Sequence, residues 1–449
     1  MKNPKKYIAN WGRFPSVQAE FIEIHSVDAA RRALSGRRTS IPRGLGRCYG
    51  DSSLADRILS LVPMDKFISF DETTGLLECE AGVSFKDILE TFVPRGWFLP
   101  VTPGTKFITV GGAIASDVHG KNHHLAGGFT RFVKRLSLLI GDGSIVRCSP
   151  SENTDLFRAT CGGMGLTGVI VTAAFTMRRI PSSFVSQETL KARDLDEIIG
   201  HFQNSSAPFS VAWIDCLARG RSLGRSVLMQ GDFAEPVSLP ADKPFLTVDT
   251  GSSLTFPFNA PSYLLNTTSV SVFNALYHGR FSAGASRSLI HYEPFFYPLD
   301  KILHWNRMYG SRGFLQYQCV LPLGSGHRGM RALLETISSS GQASFLAVLK
   351  LFGRQTDTDG YLSFPMEGFT LALDFPHSSS LFSLLDRLDA IVLEHGGRLY
   401  LTKDARMSAE TFKKGYPHLE EFLAVKRRVD PFNIFRSLQS DRLIGEYLL

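Results

Sequence analysis

Ser40-Ile41-Pro42 leads into Arg43-Gly44-Leu45-Gly46-Arg47-Cys48-Tyr49-Gly50-Asp51. Glycines at this density let a backbone turn tightly and bring its N–H groups against a phosphate. The spacing is close to a dinucleotide-binding Gly-x-Gly-x-x-Gly, but the third glycine comes one place late. No clear helix opens on it, and the acidic residue expected after the next strand is not evident. The stretch therefore reads as a pyrophosphate-binding loop of another kind, or as a structural turn.

Three further stretches bear on that choice. Pro103-Gly104-Thr105 and Thr109-Val110-Gly111-Gly112-Ala113-Ile114-Ala115-Ser116-Asp117-Val118-His119-Gly120-Lys121-Asn122-His123-His124 crowd small residues together. Such a run suits a flat ligand, such as an isoalloxazine ring, pressed against backbone, and equally suits tight packing. His119 and His123 have a metal-ligand spacing for a helix, but Gly120 argues against a helix and no third ligand is obvious, so no metal is expected. Lys121 reads as an anion clamp among small and polar neighbours. Cys161-Gly162-Gly163-Met164-Gly165-Leu166-Thr167-Gly168-Val169-Ile170 again implies close backbone approach. In Arg398-Leu399-Tyr400-Leu401-Thr402-Lys403-Asp404 a lysine beside an aspartate is usually a solvated pair. Its functional reading depends on the other stretches forming one site.

Composition sets the frame. The 449 residues, 43% hydrophobic and 20% charged, allow two or three domains of ordinary globular character. The net charge of +7 suits an anionic ligand or an anionic membrane surface, though many enzymes are as basic. Lys426-Arg427-Arg428, with Arg436 and Arg442, reads as the solvated face of a C-terminal helix. No aromatic-interleaved basic patch is present, so no nucleic-acid partner is expected. The six cysteines contain no Cys-x-x-Cys pair and read as reduced, mostly buried thiols. No apolar h-region follows the basic N-terminus, and no apolar run is long enough to span a bilayer. The expectation is a cytoplasmic protein that at most touches the inner membrane face.

From about Phe21 to Met177 short β-type runs alternate with helical stretches and glycine-rich turns. Leu76 to Gly82 predicts a strand with one buried face. Ser84 to Val93 predicts a helix with Ser84 as N-cap and Asp87 three residues on. Val110 to Ala115 reads as a glycine-broken apolar stretch, and Leu136 to Cys148 as a hairpin. The character changes near Arg178-Arg179-Ile180-Pro181. Strands are predicted near 210–217, 313–321, 345–352 and 369–375, then at 398–401, with helices after it. The segment 250–298, with Leu254, Phe256, Phe258, Tyr263, Leu264, Leu265, Phe273, Leu276, Tyr277 and Phe281, reads as a buried subdomain or as a greasy surface for a lipid tail or membrane.

Taken together, these motifs resemble the vanillyl-alcohol-oxidase-type FAD proteins. Within that superfamily the chain is most similar to the decaprenylphosphoryl-ribose 2-oxidases, the flavin subunits of the ribose-to-arabinose epimerase. The resemblance covers nearly the whole chain. It rests on residues 43–51 and 119–124, Ala-Trp-Ile-Asp at 212–215, Gln316-Tyr317-Gln318, Lys350-Leu351-Phe352-Gly353, and 396–404. It implies an α+β fold: a two-part FAD-binding domain from residues 1–182 and 397–449, with a substrate cap at 183–396. It implies that Arg43, Gly44, Leu45, Gly46, Arg47, Cys48, Tyr49, Gly50, Gly104, Thr109, Val110, Gly111, Gly112, Ser116, Asp117, Val118, His119, Ile170 and Tyr400 hold FAD. Lys121, Trp213, Gln316, Gln318, Lys350, Tyr400 and Lys403 would line the sugar site.

The implied reaction is hydride transfer from the sugar C2 to flavin N5 with loss of the hydroxyl proton, on a ribose carried by a polyprenyl phosphate. Lys403 is the candidate base or orienting group, with Tyr400 and Lys121 beside it. A nicotinamide-dependent short-chain reductase would then reduce the ketone to the arabinose epimer. Many superfamily members tether the flavin through a His in the first glycine loop. Arg47 and Cys48 stand there instead, so noncovalent FAD is expected. Some members of the subfamily carry a Cys where Ala372 precedes Asp374-Phe375-Pro376, which bears on the pocket's shape. The alternatives are an alditol or sugar-lactone oxidase of the same superfamily, and a noncatalytic flavin-binding subunit.

Overall fold

The structure is a computed structural model, which describes residues 4–240, 244–249, 251, 253–261 and 264–447. Its first part holds two larger sheets and a two-stranded pairing of Trp97–Phe98 with Arg178–Arg179. In the four-stranded one, Lys5–Ala9, Ser16–Glu23, Arg57–Ser60 and Ile41–Arg43 lie side by side in that order. The parallel pairing of Ile41–Arg43 with Arg57–Ser60 delivers the chain into the first glycine loop. The second sheet is antiparallel, in the order Phe67–Asp71, Leu76–Glu80, Val169–Thr176, Val133–Leu139, Ile145–Cys148. Leu77 and Cys79 are its buried members in Leu76–Glu80, as the alternation predicts.

Helix Phe85–Phe92 starts where expected: Ser84 and Asp87 form a reciprocal capping box. The expected glycine-broken stretch is instead a helix, Val110–Ala115. Thr109 offsets the poor helix propensity of Gly111 and Gly112 by accepting the Gly112 N–H at 3.1 Å. Gly111 is needed for close approach, since a Cβ there would lie 3.0 Å from that of Ala81.

The middle of the chain builds one antiparallel eight-stranded sheet. Its order is Ala285–His291, Phe184–Ala192, Ser226–Phe233, Phe209–Ile214, Ala347–Phe352, Gly368–Pro376, Phe314–Pro322, Arg398–Leu399. Helices Leu323–Ser340 and Leu381–Glu394 pack together against it through rows of buried leucines. The last strand corrects the expected division at 396/397. Arg398–Leu399 pairs with Cys319 and Val320 and so completes the cap sheet. It is shorter than expected because the chain turns at once: Lys403 N and Asp404 N both donate to Tyr400 O.

The segment 250–298 divides between core and surface. Tyr292, Phe295, Phe296 and Tyr297 are fully buried, whereas Leu254, Phe258, Leu264 and Leu276 are exposed. Helix Thr267–Gly279 opens on a capping box of Asn266 and Ser269. Tyr263 lies outside the described residues.

Candidate functional site

A cavity of about 680 Å³ lies between the first part and the cap sheet, within the usual range for ligand pockets. Its first wall is the loop after Ile41–Arg43. Arg43 props this loop from behind, donating to Ala9 O at 2.9 Å, Ser53 Oγ at 3.1 Å and Asn10 Oδ1. Gly46, at φ +65°, passes so close to the Arg43 guanidinium that a side chain there would collide with it. The backbone N–H groups of Gly44, Leu45, Gly46, Arg47 and Cys48 have no partner among the described residues. Five consecutive free donors beside a cavity form an anion nest, the natural seat of a pyrophosphate. Arg47 is stacked on Trp11, 3.9 Å from its ring centroid.

The second wall is the helix Val110–Ala115 and its continuation. Thr109, Gly111, Gly112, Ser116, Val118 and His119 line the cavity, with Gly104 and Ile170 beside them. Three expected cofactor residues do not. Val110 is fully buried in the core instead. Asp117, held at φ +38°, turns away and accepts from Thr130 Oγ1 and Ser363 Oγ, both at 2.7 Å. Gly50 abuts the Asp404 carbonyl, where any side chain would clash, and so joins the first glycine loop to the chain end.

The junction is reinforced by charge. Arg442, from the helix Leu438–Ile444, reaches Asp51 Oδ1 and Asp404 Oδ2 at 2.9 Å each. Lys403 and Asp404 are therefore not a solvated pair: Asp404 faces Arg442 and Lys403 faces the cavity. The basic C-terminal cluster is likewise only partly solvated, because Lys426 is buried on Asp430.

Between the two walls sit the expected sugar-site residues. Lys121, Trp213, Gln316, Gln318, Lys350, Tyr400 and Lys403 all line the one cavity. Tyr400 stacks on Phe364 at 4.6 Å, and its hydroxyl donates to Ser116 O at 2.8 Å. That hydroxyl is engaged with backbone, so Tyr400 serves here as wall and tie rather than as a proton carrier. His119 is wedged against Phe352 and Tyr400, with Nε2 3.0 Å from Gln318 Nε2 and Nδ1 buried without a partner. Burial holds its imidazole neutral, well below the ordinary histidine range. Among the described residues no group of three His, Cys, Asp or Glu is placed to hold a metal.

The three lysines dominate the electrostatics. Lys403 Nζ lies 3.7 Å from the Tyr49 ring centroid and has no hydrogen-bond or ion-pair partner among the described residues. Lys121 Nζ sits 4.2 Å over the Phe295 ring and donates to the Phe295 carbonyl. Burial pushes Lys121 down to about 7 and Lys350 down to about 8, and the Lys350 charge lowers Lys121 further. Lys403 falls to about 7, again through burial, opposed by Asp374 and aided by Lys350. Among the described residues no carboxylate lies within ion-pair distance of these amines. An anionic ligand is what such a cavity lacks.

Two parts of the site escaped the sequence reading. Asp374 was only a landmark there, yet it lies fully buried next to Gln316. The cavity mouth is an aromatic ladder of Trp213 and Tyr277 (4.7 Å), Tyr277 and Phe273 (5.8 Å), and Phe273 and Phe345 (4.9 Å). The aromatic-rich run at 273–281 was its signal, but only the fold shows that it meets Trp213.

The free N–H nest, the glycine-lined wall and the aromatic backing of His119 and Tyr400 fit FAD. Comparison with known proteins agrees. An FAD binding domain family matches residues 24–149. The chain is 36% identical to the decaprenylphosphoryl-beta-D-ribose oxidase of Mycolicibacterium smegmatis, over 98% of this chain and 97% of that one. It is 31% identical to the Delta(24)-sterol reductase of Homo sapiens, over 40% of this chain and 35% of that one. Among solved structures, Physcomitrella patens BBE-like 1 superposes with a TM-score of 0.67 at 16% identity, covering 93% of this chain and 89% of that one. That likeness establishes the α+β fold.

Proposed function

Since this chain belongs to the FAD-dependent oxidoreductases of the vanillyl-alcohol-oxidase type, we propose that it oxidises the 2-hydroxyl of a polyprenylphosphoryl-β-D-ribose to the ketone. One observation carries the choice of substrate: three lysines without carboxylate partners share a cavity whose mouth is aromatic and apolar. A sugar with an anionic phosphate and a hydrocarbon tail matches both halves of that chamber. Full-length similarity to a decaprenylphosphoryl-beta-D-ribose oxidase supports the same reading.

Bound FAD would supply the acceptor for the two electrons that leave with the C2 hydrogen. The chain's own residues do the rest. Lys403, with its pKa lowered to about 7, is available as a neutral amine to take the hydroxyl proton. Lys121 and Lys350 act as point charges on the phosphate or the ring edge. Trp213, Gln316 and Gln318 hold the ring so that its reacting carbon stays in one place. The helix Thr267–Gly279 carries Phe273 and Tyr277 into the mouth and leaves Val272 and Leu276 in solvent, a path for the tail towards a membrane surface. The ketone then passes to a nicotinamide-dependent short-chain reductase, and FAD is held without a covalent bond because Arg47 and Cys48 replace the tethering histidine of other relatives.

Anaerobic addition of polyprenylphosphoryl-ribose to the FAD-loaded protein should bleach the flavin. Lys403→Ala should abolish the bleaching and keep the FAD. Bleaching by free alditols or lactones instead would assign the chain to that class of oxidase. A flavin that no donor reduces would point to a noncatalytic subunit.

A further inference from the structure

Residues 250–279 contain no Asp, Glu, Lys or Arg, whereas globular chains are about a quarter charged. The helix Thr267–Gly279 lies within that run and buries only Val270 and Asn274, one turn apart on one face. A helix that buries so little apolar surface owes its place to its polar contacts. The buried one meets the end of strand Phe209–Ile214: Asn274 Nδ2 donates to Asp215 Oδ1 at 2.7 Å. Asp215, 2% exposed, is itself fixed, since Arg225 Nε donates to its Oδ2 at 2.8 Å and the Leu217 N–H to its Oδ1 at 3.0 Å. One turn beyond Asn274, His278 places Nε2 3.1 Å from the Ala192 carbonyl. Asp215 stands two residues after Trp213, and Asn274 stands between Phe273 and Tyr277. One buried hydrogen bond thus ties together the two elements that carry the cavity mouth.

We propose that Asn274 and Asp215 form a clasp that docks the helix Thr267–Gly279 at the cavity mouth, and that both are positioning residues acting on the donor through Phe273 and Tyr277. With the clasp made, Tyr277 stands against Trp213 at 4.7 Å and Phe273 against Phe345 at 4.9 Å, so the mouth has a fixed aromatic wall. With it broken, Val270 is the helix's one remaining buried anchor, and both rings move with the helix. A hydrogen bond is directional, so it also fixes the helix's rotation and keeps Tyr277 inward while Leu276 faces solvent. Release costs one hydrogen bond and orphans no charge, because Asp215 keeps Arg225 and the Leu217 N–H. Neither Asn274 nor Asp215 lines the cavity, so neither touches the donor. The proposal rests on the reading of the mouth as the donor's seat given above, and adds what holds that mouth in shape.

Amide hydrogen exchange of the FAD-loaded protein reads the docking without any donor. Asn274→Asp sets two carboxylates against each other. Adding Asp215→Asn to it restores the hydrogen bond with donor and acceptor exchanged. Exchange in peptides covering 267–279 should rise roughly tenfold or more in Asn274→Asp and return towards the wild-type rate in the double variant. Strand Phe209–Ile214 and the FAD content should stay unchanged. No rise in the single variant, no recovery in the double variant, or a rise spread over the whole cap sheet overturns the proposal. If Asn274→Asp does not fold, Asn274→Leu removes the donor without adding charge and is judged by the same confined rise. In steady-state kinetics the single variant should raise KM for polyprenylphosphoryl-ribose roughly tenfold with kcat little changed, and the double variant should recover. A fall in kcat at unchanged KM overturns the positioning role. If exchange rises and recovers while no ribose donor bleaches the flavin, the substrate reading fails and the clasp stands.

Discussion

Three lysine amines face one cavity without carboxylate partners, and their chemistry differs by a few neighbours. Lys121 is tied to the Phe295 carbonyl and ring, Lys350 stands 5.9 Å from the Phe352 ring centroid, and Lys403 lies over Tyr49. A lysine that binds a phosphate as a point charge contributes to affinity, so Lys350→Met should raise KM for a phosphorylated donor by roughly tenfold or more. A non-phosphorylated analogue should show no such change in steady-state kinetics. An equal effect on both would remove Lys350 from phosphate recognition. Glycine is required at 46 for a residue-scale reason as well, its positive φ and the Arg43 guanidinium against it. Gly46→Ala should therefore weaken FAD retention, read as flavin released on gel filtration.

Short elements carry most of the positioning. The helix Leu438–Ile444 contributes Arg442, which neutralises Asp51 from the first glycine loop and Asp404 beside Lys403. Burial raises Asp51 to about 6 even with that partner, which shows how poorly the place tolerates a free carboxylate. Arg442→Met leaves two buried acids facing each other and should cost about 3 kcal/mol, measured as a fall in denaturation midpoint. The helix Thr267–Gly279 makes the opposite kind of contribution. Leu276 is 71% exposed, so Leu276→Glu should leave the melting temperature unchanged. If the helix guides the lipid tail, the same variant raises KM for long-chain donors and spares short-chain ones. Equal kinetics on both would refute that path.

At the scale of the molecule, burying amines makes stability depend on pH. An amine whose folded pKa is depressed binds fewer protons folded than unfolded, so its contribution is present above the unfolded lysine value and is lost as pH falls through the folded one. With Lys121 and Lys403 near 7 and Lys350 near 8, stability should rise between about pH 7 and pH 10. Melting curves of the FAD-loaded protein should show that slope, and Lys121→Met should reduce it. A flat wild-type profile would mean that the amines find counter-charges when the site is filled. Asp51 and Asp300 act in the other direction, raised to about 6 by burial, and their contributions are lost as pH rises from about 4 to 6.

Local patterns decided much of this in advance. The glycine loop at 43–50, the Ser84 cap, the hairpin around Gly141-Asp142-Gly143-Ser144 and four of the eight cap-sheet strands were legible, because turns, caps and period-two burial are properties of neighbouring residues. So were many of the residues that line the cavity, since these belong to short motifs that survive as strings. What the string could not contain was direction. Val110 is buried in the core, Asp117 turns away at a positive φ towards Thr130 and Ser363, and Arg398–Leu399 completes a sheet whose first strand in the chain is Phe184–Ala192. The meeting of Trp213 with Tyr277, of Arg442 with Asp51, and of Gln316 with Asp374 depends on segments distant in sequence packing side by side. Only tertiary structure decides such pairings, because burial and electric field depend on three-dimensional distance and not on order along the chain.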